Sequence, residues 1–326
     1  MTDLARQVRG EDLPALEVVD FLLGHYGLPE PSPHVLMSRT SAGGEGHIRE
    51  RVRDEIFAML REGAMGRVGV GIDRAGDTIY VALGLQERHA ELRGRVARHL
   101  PANGHQAVVA RLEAGYASPA LVITGPDGRV AEQTPPPRDG AFTAEIRCLG
   151  EGKHQVELTA VGRSGPAVLV NFPVFCGVAP PVESPGAAGL RPAVATPEQV
   201  EDSLVALIGR DRQRAGLGPV VRDARLTEIA RAHSRDMATH EFVAHVSPRS
   251  GSAMDRVRSA GLAPELLLEN VGRAYSAEEA ESGFLSSPGH RGNVLDPHAR
   301  RVGIGVAFGS PVTGTTPMFV TQLFTN

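Results

Sequence analysis

Lysine is almost missing from this chain of 326 residues: Lys153 stands alone among 34 basic residues, and arginine supplies the rest. Acidic side chains number 38, so the net charge is -4, which gives no electrostatic case for nucleic acid as a partner. Tryptophan is absent. Two cysteines are too few for a disulfide framework and lack metal-ligand spacing. No stretch approaches the roughly 20 apolar residues of a membrane span. The charged segment Met1 to Gly10 has no apolar core of a signal peptide, so none is expected in the sequence as it stands. No Gly-x-Ser-x-Gly elbow occurs, and Ser234 directly follows His233 on a helical stretch, where neighbours point apart; both argue against a serine hydrolase.

What is present is a soluble composition, 41% hydrophobic and 22% charged, on a chain too long for one ordinary core. Residues 178–195 are rich in proline, glycine and alanine without periodicity, and read as a semi-rigid linker. After it, Thr196-Pro197-Glu198-Gln199 combines an N-cap, a proline at the first helical position and a capping box. Val200, Leu204, Leu207 and Ile208 continue as one apolar stripe, with Gly216 as the stop. Further helices are expected after Asp223, from Ser276 with Glu279, and from Ser287-Pro288. The last strands put Val302, Ile304, Val306 and Phe308 on one face and Gly303, Gly305 and Ala307 on the other, where another layer can approach closely. Helices followed by antiparallel strands imply an α+β domain over 196–326.

Residues 104–177 alternate as five or six short strands, the pattern of a small immunoglobulin-like β-sandwich. Cys148 and Cys176 fall on inward faces there. They are either buried thiols or a bridge, and a bridge would imply an oxidising compartment. Residues 1–100 read as a small α/β domain, with helices near Pro14 to Leu23 and around Ile48, Val52, Ile56, Met59 and Leu60. Its strands, Arg67-Val68-Gly69-Val70-Gly71 and Thr78 to Gln86, resemble Arg301-Val302-Gly303-Ile304-Gly305 and the strand bearing Gln322. An internal duplication with a shortened first copy is expected, against the alternative of two coincidentally similar hairpins. The first copy should pack helices on its glycine face and leave His25, His34 and His47 scattered.

Three imidazoles and one carboxylate carry the chemistry: His233, His245, Glu269 and His290, the side chains that hold divalent cations or move protons near neutral pH. Taken singly, His233 on an apolar helix face reads as a hydrogen-bonded core residue, and Glu269 as a cap for a following turn. His290, just inside a helix start, is disfavoured in its charged form by the helix dipole, which suits a neutral ligand. Asp236, Arg291 and Asn293 read as structural, bonding loops to helix ends.

In their order, Ala-Gly-Leu-Gly-Pro (215–219), His-Ser-Arg-Asp-Met (233–237), Phe242 to Pro248, Glu269-Asn270, Ser-Pro-Gly-His-Arg (287–291) and the terminal Val-Gly-Ile-Gly hairpin resemble the bacterial branch of the CAP superfamily, the SCP domain. The resemblance implies an α-β-α sandwich with a His/Glu cleft, and export to the envelope or beyond. It places the family's histidines at His245 and His290 and one glutamate at Glu269. Ser287 stands where the second family glutamate would be, Phe284 replaces a tryptophan, and Leu268 replaces the glycine before Glu269, so the tetrad is incomplete. On this reading His245 and His290 ligate a divalent cation, zinc being the first candidate, with His233 and Glu269 supporting the cleft. The expected role is binding of a peptide, glycan or lipid without turnover; no organic cofactor is expected. Two alternatives stand beside it: a metal-assisted hydrolase in which Glu269 activates water, and an adhesion scaffold with a vestigial site.

Overall fold

The computed structural model describes residues 1–9, 14, 16–30, 34–41, 46, 49–50, 53, 65–138, 140–163, 165–184, 195–311 and 316–326. It divides into two compact units, Met1–Val161 with Ala167–Arg191, and Gly162–Pro166 with Pro192–Asn326. Most of the expected helix at 48–60 and most of the expected linker lie outside the described residues, as do His47 and the side chain of His34.

The first unit opens with α1 (Thr2–Gln7) and α2 (Leu16–Tyr26), followed by β1 (His34–Ser41), β2 (Met65–Ala75) and β3 (Thr78–Glu87). The strands form an antiparallel sheet in the order β1-β3-β2, so this part is α+β and not the α/β arrangement expected from the sequence. A two-residue turn at Gly76-Asp77 joins β2 to β3, with Gly76 at φ +59°. Helix α1 escaped the sequence reading because six residues are too few to show a period. It lies directly on β2: a Cβ on Gly71 would stand 2.1 Å from the Met1 backbone and 2.2 Å from that of Thr2.

Two further sheets follow in this unit. They are built from β4 (Ala90–Arg93), β5 (His99–Leu100), β6 (His105–Leu112), β7 (Ala117–Thr124), β8 (Val130–Gln133), β9 (Phe142–Arg147), β10 (Gly152–Gly162) and β11 (Gly165–Cys176). Their orders are β4-β6-β9 and β5-β11-β10-β7-β8. Alternating inward residues of both, among them Val108, Phe142 and Ile146 from one and Leu121, Leu158 and Leu169 from the other, share one apolar core. The strands begin at Ala90, earlier than expected, because β4 and β5 are too short to show alternation; β5 also pairs parallel to β11. Cys148, one residue past β9, is bonded to Cys176 at the end of β11, which decides between thiols and a bridge.

The second unit contains α3 (Pro197–Arg214), β12 (Val221–Arg222), α4 (Ala224–His240), α5 (Ala253–Ser259), β13 (Leu267–Ala274), α6 (Ala277–Ser286), α7 (Pro288–Val294), β14 (Arg301–Phe308) and β15 (Met318–Thr325). The expected caps are present: Thr196 and Gln199 close a box on α3, Asp223 caps α4, and Ser276 caps α6. The sheet order is β12-β14-β15-β13, antiparallel except for the β12–β14 pair. Helices pack on both faces. Val302, Ile304 and Val306 share a core with Val200, Leu204 and Ile208 of α3 and Phe284 of α6. On the opposite face a Cβ on Gly303 or Gly305 would fall 2.2 or 2.1 Å from the backbone of α4. Only glycine permits that approach, and it seats α4, with His233 near its centre, flat on the sheet. Arg212, fully buried at the end of α3, donates to the carbonyls of Gly218, Val294, Asp296 and Ala299.

The strand order β1-β3-β2 repeats as β13-β15-β14, with the third strand of each set in the middle. The two glutamines do not correspond, however. Gln86 lies opposite Arg67, whereas Thr325 lies opposite Arg301 and Gln322 faces Ile304.

Candidate functional site

Strand β13 sets the geometry around His245, Glu269 and His290. It runs antiparallel to β15, with Glu269 opposite Leu323 and Asn270 opposite Gln322. Consecutive strand residues point to opposite faces, so Glu269 and Asn270 serve two different networks. Glu269 therefore sits in a strand and caps no turn, contrary to its simplest reading.

Glu269 is buried and uses both carboxylate oxygens. One accepts from His245 Nδ1 at 2.9 Å. The other accepts from the guanidinium of Arg256, itself buried on α5. Arg256 also donates to the carbonyls of Gly251 (2.6 Å) and His245 (3.3 Å). It therefore fixes the charge of Glu269 and the backbone that carries His245. Sequence reasoning missed Arg256; the signal for its helix was the capping box of Ser252 and Asp255.

His290 lies in the first turn of α7, with its ring centroid 6.2 Å from that of His245. Phe284 sets its edge against the His290 ring at 5.3 Å, occupying the aromatic position expected for it. Burial, and then the neighbouring His245, push the His290 imidazole down to about 4, so it is neutral at physiological pH. Desolvation does what the helix dipole was expected to do. Asn270 Nδ2 donates to the His290 carbonyl at 3.2 Å and to Gln322 Oε1 at 2.9 Å. Asn293 donates to the Glu269 carbonyl and to Asn270 Oδ1. Asn293 is structural, as expected, and it ties the end of α7 to β13. Asp236 likewise holds Ser247 and Arg249 in the loop after α4.

His233 is set back from the other two histidines. Its Nε2 donates to the Ala244 carbonyl at 2.9 Å, and its ring packs edge-on against Phe242 at 6.3 Å. Burial and the charge of Arg256 lower its pKa, so it stays neutral. It anchors the residue before His245. Ser287, at the expected position of the second glutamate, is buried at the start of α7. Another buried acid, Glu281 on α6, accepts from Gln322 Nε2 at 3.0 Å, and burial pushes it up to about 7. Among the described residues no group of three or more His, Cys, Asp or Glu is arranged to hold a metal ion. The donor set at the cleft is thus two imidazoles, one oriented by a carboxylate.

Residues 205–324 match the family model described as CAP, the cysteine-rich secretory protein family. The C-terminal third of the chain is a CAP domain. Its relatives include YkwD of Bacillus subtilis (strain 168), an uncharacterized protein 35% identical over 106 residues, or 32% of this chain and 41% of YkwD. YlbC of the same organism, an uncharacterized membrane protein, is 31% identical over 107 residues, covering 32% of this chain and 31% of YlbC. The chain thus spans less than half the length of these curated relatives. Among solved structures, an extracellular protein containing a SCP domain from Bacillus anthracis str. Ames aligns over 73% of this chain and 67% of its own, at 16% identity and a TM-score of 0.36. Among the described residues no helix is long and apolar enough to cross a membrane.

Proposed function

We propose that the CAP domain is a binding module acting outside the cytoplasm, whose cleft takes a divalent cation between His245 and His290. The observation that carries this reading is the placement of Glu269 between His245 and Arg256. The carboxylate takes His245 Nδ1, which leaves Nε2 as the ligating nitrogen, in the way a carboxylate orients a metal-bound histidine. His290 supplies a second neutral imidazole, and this donor chemistry suits zinc. His233 supports the cleft through Ala244. The rest of the coordination sphere would come from the bound molecule, a peptide, glycan or lipid. The hydrolase alternative asks Glu269 to act as a base, yet both its oxygens are engaged by nitrogen donors, which favours binding over turnover.

The region of two sheets reads as an immunoglobulin-like module that starts at Ala90, ahead of the expected 104–177. The N-terminal 1–100 reads as a shortened copy of the CAP sheet without its histidine cleft, a reading supported by the repeated strand order. The Cys148–Cys176 bridge fits export to an oxidising compartment. The test is calorimetric titration of zinc into the full chain and its His290→Ala variant. The wild type should bind and the variant should not, with the circular dichroism of the two unchanged. Equal affinity in the variant would remove His290 from the site.

A further inference from the structure

Strand β2 is an edge strand of 11 residues whose outer side carries no partner strand among the described residues. Natural edges of this length are blunted by prolines, inward charges or bulges, because open backbone groups invite pairing with another chain. Here the only irregularity is at the Met65/Arg67 end. Residues 67–75 are regular, lack proline, and expose Val68, Val70 and Ile72 at 56%, 57% and 59% on one face. Their cross-strand neighbours on that face, Leu85, Leu83 and Val81, are buried. The apolar face therefore continues to the open edge and stops there.

We infer that β2 pairs antiparallel with β2 of a second copy of this chain, about a two-fold axis through Val70. The sequence of the strand is self-complementary in that register. With Val70 opposite its counterpart, Val68 falls opposite Ile72, Gly69 opposite Gly71, and Arg67 opposite Asp73. The two sheets become one sheet of six strands. The exposed stripe becomes three adjoining cross-strand pairs of β-branched residues, the kind of contact that stabilises sheets. Each end of the seam sets a guanidinium against a carboxylate of the other chain. Arg67 already pairs with Glu30, and Asp73 with Arg9, so these ions are held in place along the edge before the second copy arrives. Moving the register by one residue would place Val68 opposite Gly71 and leave Arg67 facing Ile72, so the charge pattern selects one alignment. An interface of this kind is isologous and closes at two copies. It does not depend on the CAP cleft.

The test uses the full chain in analytical ultracentrifugation. Wild type should sediment as a dimer. Val70→Lys and Val70→Glu each set like charges face to face on the axis, and each should sediment as a monomer with unchanged circular dichroism. Mixing the two variants should restore a dimer, because lysine then faces glutamate. Val70→Cys under mild oxidation should yield a disulfide-linked pair of chains, since directly opposed residues stand close enough for a bridge. A wild type that stays monomeric overturns the inference. So does a Val70→Lys variant that remains dimeric, or a lysine and glutamate mixture that does not associate.

Discussion

His245 and Glu269 are 24 residues apart in sequence and 2.9 Å apart in space, imidazole Nδ1 to carboxylate oxygen. Because Arg256 grips the other oxygen, the carboxylate is held from both sides. Replacing Glu269 by glutamine removes the charge that both partners need. Zinc affinity should fall about 10- to 100-fold, the usual effect of losing an orienting carboxylate. Stability should fall by about 3–5 kcal/mol, because a buried guanidinium loses its counter-charge. Titration calorimetry and urea unfolding read the two effects separately. An unchanged affinity would mean that Glu269 does not orient a ligand.

Glu281 makes stability depend on pH in a defined window. Its ordinary value of 4.5 is raised to about 7 in the folded chain. Below about pH 4.5 the carboxyl is protonated in both states and has no effect. From there to about pH 7 the unfolded chain ionises first, so stability declines as pH rises. Above that the penalty is on the order of 3 kcal/mol. Glu281→Gln, which keeps the shape and cannot ionise, should melt higher than wild type at pH 8 and no higher at pH 4. Parallel melting curves at both pH values would show that Glu281 does not titrate in this window.

The bridge between Cys148 and Cys176 leaves no thiol to label. Denatured, unreduced protein should react with none of a maleimide reagent, and the reduced chain with two equivalents. Bridging residues 28 apart should contribute roughly 3 kcal/mol by restricting the unfolded chain. The Cys148→Ser, Cys176→Ser variant should therefore unfold at lower denaturant.

Glycine positions on the two similar hairpins should respond unequally to a methyl group. Gly305→Ala drives a Cβ into the backbone of α4, a 17-residue helix bearing His233, and should destabilise the chain by about 3 kcal/mol, at the high end for overpacking. Gly71→Ala meets the backbone of Met1 and Thr2 at the chain terminus, where α1 is six residues long and can shift. Its effect should be less than half as large. Chemical denaturation of both variants decides it.

Much of the CAP domain was legible because its signals are local. The capping residues Thr196, Asp223 and Ser276 mark the starts of three helices, and the alternation around Gly303 and Gly305 marks a strand against a helix. Family spacing brought out His245, Glu269 and His290. Arg256 was not legible, since its role depends on a strand 13 residues later folding back over it. Glu281 and Gln322, 41 residues apart, meet only when α6 lies on β15. The similarity between residues 67–86 and 301–322 lies in two antiparallel strand pairs, β2–β3 and β14–β15. It misplaced the glutamines because strand register is set by turn length, which the two hairpins do not share.

The four carbonyls gathered by Arg212 bear on how the cleft moves. One guanidinium grips the tail of α7 and the chain to Ala299 against the end of α3, so His290 rides on a helix anchored at its far end. His245 sits on a loop held by the side chains of Asp236, His233 and Arg256. Amide hydrogens of residues 241–252, outside any helix, should therefore exchange with solvent before those of α7.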